Sequence, residues 1–238
     1  NTTGGPSGFL LKGTDPYDYS GTSVSAAGEI NGDGIDDIII GAPYTAGPNG
    51  NDGAGKRYVI FGNANFSTSY ELSEVGTASG PDGFIINGVS LGDSAGVSVS
   101  AAGDINDDGV DDLIIGARDA SPNSNTYAGA SYVIYGDSAG FAPSLDLSTL
   151  DGNNGFVLNG IDAYDNAGRA VSRAGDGDGD GIDDIIIGAR YADPNSNSDA
   201  GESYIIFGQR DESTITPTSN DDVLNGTQND DNINALAG

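Results

Sequence analysis

Three short acidic stretches hold the densest clusters of side chains in this sequence that could do chemistry. They are Glu29 to Asp37, Asp104 to Asp112 and Asp176 to Asp184, and each carries an acid at position one, Asn or Asp at three, Asp at five, Gly at six and Asp at nine. A hard cation such as calcium takes six to eight oxygens at about 2.3–2.6 Å, and alternate residues of a tight loop aim their side chains at one centre. Side-chain oxygens come from Glu29, Asn31, Asp33 and Asp37, from Asp104, Asn106, Asp108 and Asp112, and from Asp176, Asp178, Asp180 and Asp184. The glycine at position six lets the loop turn sharply, so that the main-chain carbonyl of position seven (Ile35, Val110 or Ile182) adds a further ligand. An all-oxygen set without Cys or His favours calcium over zinc or copper, and magnesium's octahedral demand makes it the weaker candidate. The pattern predicts about three calcium ions, one per loop, and loops that stiffen when the ion relieves carboxylate repulsion. Asp36, Asp111 and Asp183 at position eight are expected to point away, and the longer arm of Glu29 to shift or weaken the first site.

The rest of the composition removes other chemistries. The 238 residues include no Cys, His, Met or Trp, which excludes thiol nucleophiles, Ser-His-Asp triads, His-ligated zinc and disulfide staples. A formal net charge of −28 argues against nucleic acid or an anionic lipid surface as a partner. No apolar run reaches the ~20 residues of a membrane helix, so no membrane insertion is expected. Only carboxylate pairs of the glycosidase kind could catalyse, and nearly all clustered carboxylates fall in the three loops. The chain is therefore expected not to be an enzyme, with carboxylate catalysis as the alternative. Opening at Asn1 without Met, it reads as a mature or excised piece.

The elements that must position the loops form an internal repeat. Phe9 to Gly13 recurs as Phe84 to Gly88 and Phe156 to Gly160, and Ser23 to Gly28 as Ser98 to Gly103 and Ala170 to Gly175. Asp36 to Ala42 matches Asp111 to Ala117 and Asp183 to Ala189, and each copy closes on Tyr58 to Gly62, Tyr132 to Gly136 or Tyr204 to Gly208. These pieces are short, β-branched and aromatic, and turn residues cluster between them. The expectation is an all-β chain of three propeller-type blades with four antiparallel strands each, at about residues 9–83, 84–155 and 156–210, followed by a linker and tail at 211–238. Ile38 to Ile40 suits a strand covered on both faces, and the small residues of Ser23 to Ala27 a crowded strand near the propeller axis. If the Phe9 strand is the outer strand of a blade, the third blade lacks its own. Three blades fall below the usual four to eight, so completion by another chain or further blades is expected.

The acidic loops, Gly41-Ala42-Pro43 and Phe61-Gly62 together resemble FG-GAP repeats, the blades of the integrin alpha-subunit propeller, over about residues 9–208. The resemblance implies a calcium-stiffened extracellular module whose upper loops bind protein ligands, or an accessory propeller beside a phospholipase-type or other hydrolytic domain. Gly-Ala-Pro becomes Gly-Ala-Arg at Arg118 and Arg190. The tail from Asn220 to Ile233 looks like the entry into haemolysin-type (RTX) calcium-binding repeats, which implies bacterial secretion. The loops Tyr44 to Gly53, Asp119 to Tyr127 and Tyr191 to Asp199 are expected on the face opposite the metals, as the place for a protein or glycan ligand. Phe9 to Leu11 could complete the sheet of another subunit, giving a dimer or a fibre.

Overall fold

The computed structural model describes residues 8–45, 53–210 and 231–232. It is all-β, with four short 3-10 turns as the only helical pieces among the described residues. The first blade orders its strands β2 (Ser23–Gly28), β3 (Asp37–Ala42), β4 (Lys56–Ile60) and β6 (Gly83–Asn87), all antiparallel. The second repeats this with β7 (Ser98–Gly103), β8 (Asp112–Ala117), β9 (Ala130–Ile134) and β11 (Gly155–Asn159). The third has β12 (Ala167–Gly175), β13 (Asp184–Ala189) and β14 (Glu202–Ile206), with no fourth strand among the described residues.

The blades carry one feature that strand patterning did not predict. The long connection between the third and fourth strands of a repeat sends a short strand back to pair in parallel with an earlier outer strand. Thus β10 (Ser144–Asp146) extends the first blade alongside β6, and β5 (Ser69–Glu71) pairs with β1 (Leu10–Lys12). The two-residue β15 (Asp231–Asn232) pairs in parallel with β11. These edge strands are three residues or fewer, too short for alternation to reveal. Among the described residues β1 pairs with β5, and it repeats the sequence of the outer strands β6 and β11. The RTX-like reading of the tail lies outside the described residues except at 231–232.

Packing follows the apolar runs. Ile39, Ile114 and Ile185 are buried, and all six residues of β8 are buried because neighbouring blades cover both of its faces. The inner strands β2, β7 and β12 lie side by side, where small residues allow close approach. Each inner strand ends in a β-bulge at Gly28, Gly103 or Gly175, all near φ +75°. A side chain at φ > 0 is strained, and a Cβ at Gly28 or Gly103 would also strike the Asp111 or Asp183 carboxylate. The bulge turns the chain out of the sheet and into the acidic loop.

Candidate metal centre

Every acidic loop links the first two strands of its blade, so the three share one end of the sheets. The β3–β4 and equivalent connections lie at the other end. The loop backbone is folded by its own carboxylates. In the second loop Asp104 accepts the N–H of Asp108 at 3.0 Å and of Gly109 at 2.9 Å, Asn106 Oδ1 accepts Asp108 N–H at 3.1 Å, and Asp108 accepts Val110 N–H at 2.9 Å. The first loop repeats this, with Glu29 and Asn31 accepting Asp33 N–H at 3.0 and 2.9 Å and Asp33 accepting Ile35 N–H at 2.8 Å. The third does so through Asp176, Asp178 and Asp180, which accept the N–H groups of Gly179 and Gly181, of Asp180, and of Ile182. The position-six glycines have φ between +83° and +93°, as the turn requires. Position four is left-handed too, at Gly32, Asp107 and Gly179.

This wrapping turns side-chain oxygens inward. In the third loop, carboxylate oxygens of Asp176, Asp178 and Asp180 lie within 4.8 Å of one another. Those three residues are exposed, and the oxygen-only donor set suits a hard divalent cation. Asn31 and Asn106 hold position three in the other loops, where their amides donate to Asp33 and Asp108 at 3.2 and 2.9 Å.

Position nine differs from the others, because Asp37, Asp112 and Asp184 are buried. Each carboxylate bridges two main-chain donors: Asp112 accepts Ile105 N–H and Gly136 N–H at 2.8 Å each. Asp37 accepts Ile30 and Gly62 N–H at 3.2 and 2.7 Å, and Asp184 accepts Gly177 and Gly208 N–H at 2.6 and 3.0 Å. The ninth residue therefore ties the acidic loop to the Phe-Gly or Tyr-Gly end of the third strand. Burial pushes the Asp37 carboxyl up to about 6 and that of Asp112 up to about 8, despite their two N–H donors. Nearby loop acids, Asp33 and Glu29 or Asp108 and Asp104, push the same way, and a bound cation would act in the opposite direction.

Position eight does point away from its own loop, and it reaches the preceding blade. Asp111 accepts Glu29 N–H at 2.9 Å and Asp183 accepts Asp104 N–H at 3.2 Å. Asp183 is also forked by Arg173 at 2.7 and 2.9 Å. Asp36 occupies the same repeat position but is exposed.

A second series of acids, absent from the loop pattern, sits near the other end. Asp18, Asp93 and Asp165 are buried just before the inner strands, spaced by the same 75 and 72 residues as the Phe9, Phe84 and Phe156 motif. That spacing was the signal for finding them. Burial raises all three, Asp93 and Asp165 to about 6. Asp93 lines a cleft of about 670 Å³ together with Asp119, Pro122, Tyr127, Tyr132 and Leu147. Asp119 to Tyr127 and Tyr191 to Asp199 each contain a Pro-Asn-Ser 3-10 turn, at Pro122–Ser124 and Pro194–Ser196. Residues 46–52 of the first such loop lie outside the described residues.

The FG-GAP repeat family matches residues 20–60, 95–134 and 167–206, from the start of each inner strand or a few residues before it to the end of the third strand. The chain belongs to the FG-GAP repeat family. Phosphatidylinositol-glycan-specific phospholipase D of Rattus norvegicus is 29% identical over 208 residues, which cover 86% of this chain and 23% of the relative. Integrin alpha pat-2 of Caenorhabditis elegans is 32% identical over 217 residues, 87% of this chain and 15% of the relative. Integrin alpha-4 of Xenopus laevis is 29% identical over 178 residues, 74% and 15%. The FG-GAP chain thus spans less than a quarter of the length of these relatives. Among its described residues no helix is long and apolar enough to cross a membrane.

Proposed function

We propose that this FG-GAP chain is a non-catalytic, calcium-braced interaction module of a secreted or cell-surface protein. The convergence of Asp176, Asp178 and Asp180 carries the reading, together with the same loop wrapping in all three repeats. One calcium ion per loop would be held by the side chains of positions one, three, five and nine and by the carbonyl of Ile35, Val110 or Ile182. The ion would supply positive charge to loops whose position-nine acids, Asp37, Asp112 and Asp184, are buried. What the chain's own residues do is structural: position nine fastens the loop to its third strand, and position eight fastens it to the preceding blade. Calcium would therefore stiffen the joints that hold the upper loops in register, where a protein or glycan partner docks.

The integrin alpha relatives favour adhesion as the role. The phospholipase D relative supports a second reading, in which these blades accompany the catalytic domain of a secreted hydrolase. In both readings the blades do no chemistry. Binding to the folded form alone adds RT ln(1 + [L]/Kd), about 2.7 kcal/mol per site at ~100 times Kd. The test is thermal unfolding in millimolar calcium and in chelator. A melting temperature several degrees higher in calcium, with the gain reduced in Asp178→Ala, is expected; indifference to calcium would overturn the reading.

A further inference from the structure

We propose that the guanidinium of Arg57 is a binding site for a small carboxylate, held inside the joint between the first two blades. The inference goes beyond the reading of the chain as a calcium-braced module and does not depend on it.

Arg57 lies on β4 and is 0% exposed, the one buried residue among the eight Lys and Arg of the chain. Lys12, Arg118, Arg173 and Arg210 pair with Glu71, Asp119, Asp183 and Asp107, and the charge of Lys56 acts on Asp18. Among the described residues no acid pairs with Arg57. Its Nη1 donates to the Gly55 carbonyl at 3.3 Å, while Nε and Nη2 are buried without a hydrogen-bond partner. Burial lowers the group to about 9 and the Tyr132 phenol acts the other way, so the guanidinium is charged at neutral pH. A buried charge is strongly destabilising unless something pairs with it, and an orphaned buried donor in a native fold points to a bound water or ion. A water completes the hydrogen bonds and leaves the charge; an anion answers both.

The unpartnered atoms select the class of anion. Nε and Nη2 form one edge of the guanidinium, where two N–H groups point the same way and match the geometry of a carboxylate. The chain uses that edge elsewhere: Nε and Nη2 of Arg173 both donate to Asp183, at 2.9 and 2.7 Å. Arg57 presents the same edge with no acid of the described chain on it.

The site belongs to this joint alone. Arg57 lies opposite Gly41, and the same repeat position, opposite Gly116 and Gly188, holds Ser131 and Ser203. A blade therefore does not need arginine there for its own fold. Room for the side chain comes from Gly96 of the second blade, at φ +92°, where a Cβ would come within 2.6 Å of the Arg57 Cδ. The side chain thus crosses from the first blade toward Tyr132 on the second. Tyr132 also lines the cleft of about 670 Å³ beside Asp93, which gives a ligand a route inward. Full burial of the fork favours a free anion the size of formate or acetate over an acidic side chain carried on a partner's backbone. With a net charge of −28 the chain repels anions generally, so one bound at Arg57 stands out against a low background. The occupant neutralises the buried charge and so tightens the joint beneath the upper cleft.

The test is equilibrium dialysis of the full chain against radiolabelled formate in excess calcium, with circular dichroism melts under the same conditions. One equivalent of formate bound to the wild-type chain, and a higher melting temperature in formate, are expected. In Arg57→Ser, which installs the residue of the other two repeats, both effects should vanish. Arg57→Lys keeps the charge but loses the fork and should bind formate at least about tenfold more weakly. It carries the comparison if the serine variant does not fold. N-acetylglutamic acid amide, which mimics an acidic side chain of a partner, should not compete. No formate bound to the wild-type chain, or equal binding in Arg57→Lys, would overturn the proposal. Binding of the glutamate mimic without formate would give the fork to a partner protein and overturn it as well.

Discussion

The Asp111 carboxylate, on the second blade, accepts the main-chain N–H of Glu29, on the first, at 2.9 Å. The first residue of one candidate metal loop is thereby fixed by the eighth residue of the next, and Asp183 repeats this on Asp104. The acidic loop and the blade joint are one structure. A hydrogen bond to a charged group contributes about 1.5–3 kcal/mol. Asp111→Ala should lower unfolding stability by about 2 kcal/mol, and Asp183→Ala by at least as much, since Arg173 loses its partner as well. Asp36→Ala, at the same repeat position but exposed, should change the stability of this chain by no more than about 0.5 kcal/mol. Urea denaturation of the three variants checks the contrast, and equal losses would show that position eight acts within its own loop.

The same internal control applies to the glycines that open the Gly-Ala pairs, Gly116 and Gly188. A methyl group at Gly116 would run into the Gly168 carbonyl, whereas at Gly188 its nearest contacts are ordinary, at 3.7 and 3.8 Å. Neither glycine has a positive φ, so the substitution tests space alone. Gly116→Ala is expected to destabilise by about 3 kcal/mol or more because backbone must move, and Gly188→Ala by less than about 0.5 kcal/mol. Thermal unfolding in saturating calcium measures both.

Much of this was legible in the sequence because it recurs within one chain. The three acidic stretches fall between the first two strands of their blades and the Ile38 to Ile40 run lies inside β3, as the repeat predicts. Less legible were contacts made between copies. That Asp111 faces away could be expected, but its acceptor role depends on Glu29 lying 82 residues earlier and one blade away. The second donor of Asp112, Gly136 N–H, comes from the far end of the third strand, so sequence spacing alone could not identify position nine as a clamp. The short parallel strands β5 and β10 carry too few residues to show a period.

Asp112 gives the sharpest test of that clamp. It is fully buried, with both oxygens occupied by Ile105 and Gly136 N–H at 2.8 Å. In Asp112→Asn the amide nitrogen turns one donor toward another, leaving a buried N–H unsatisfied at about 1–3 kcal/mol. Circular dichroism melts in chelator, where no ion contributes, are expected to show this loss. An unchanged melting temperature in chelator would mean that the residue serves only the metal.

Asp93 and Asp165 set the pH dependence expected away from the acidic loops. Asp93 accepts Ser90 N–H at 3.1 Å and faces Asp119, and burial with that neighbour raises its carboxyl from 3.8 to about 6. A raised carboxyl binds its proton more tightly when folded, so between about pH 4 and 6 the folded chain holds more protons than the unfolded one. Stability contributed by the protonated form is present at pH 4 and is lost as pH rises through 6. With the variant Asp93→Asn, which stays neutral throughout, the loss of stability between pH 5 and pH 7 should shrink by on the order of 1 kcal/mol. Asp165, raised to about 6 by burial and then by Asp162, Glu202 and Asp193, should contribute in the same direction. Urea titrations across that range in a fixed excess of calcium provide the measurement, and a pH profile identical in wild type and Asp93→Asn would show that the cleft leaves this carboxyl fully hydrated.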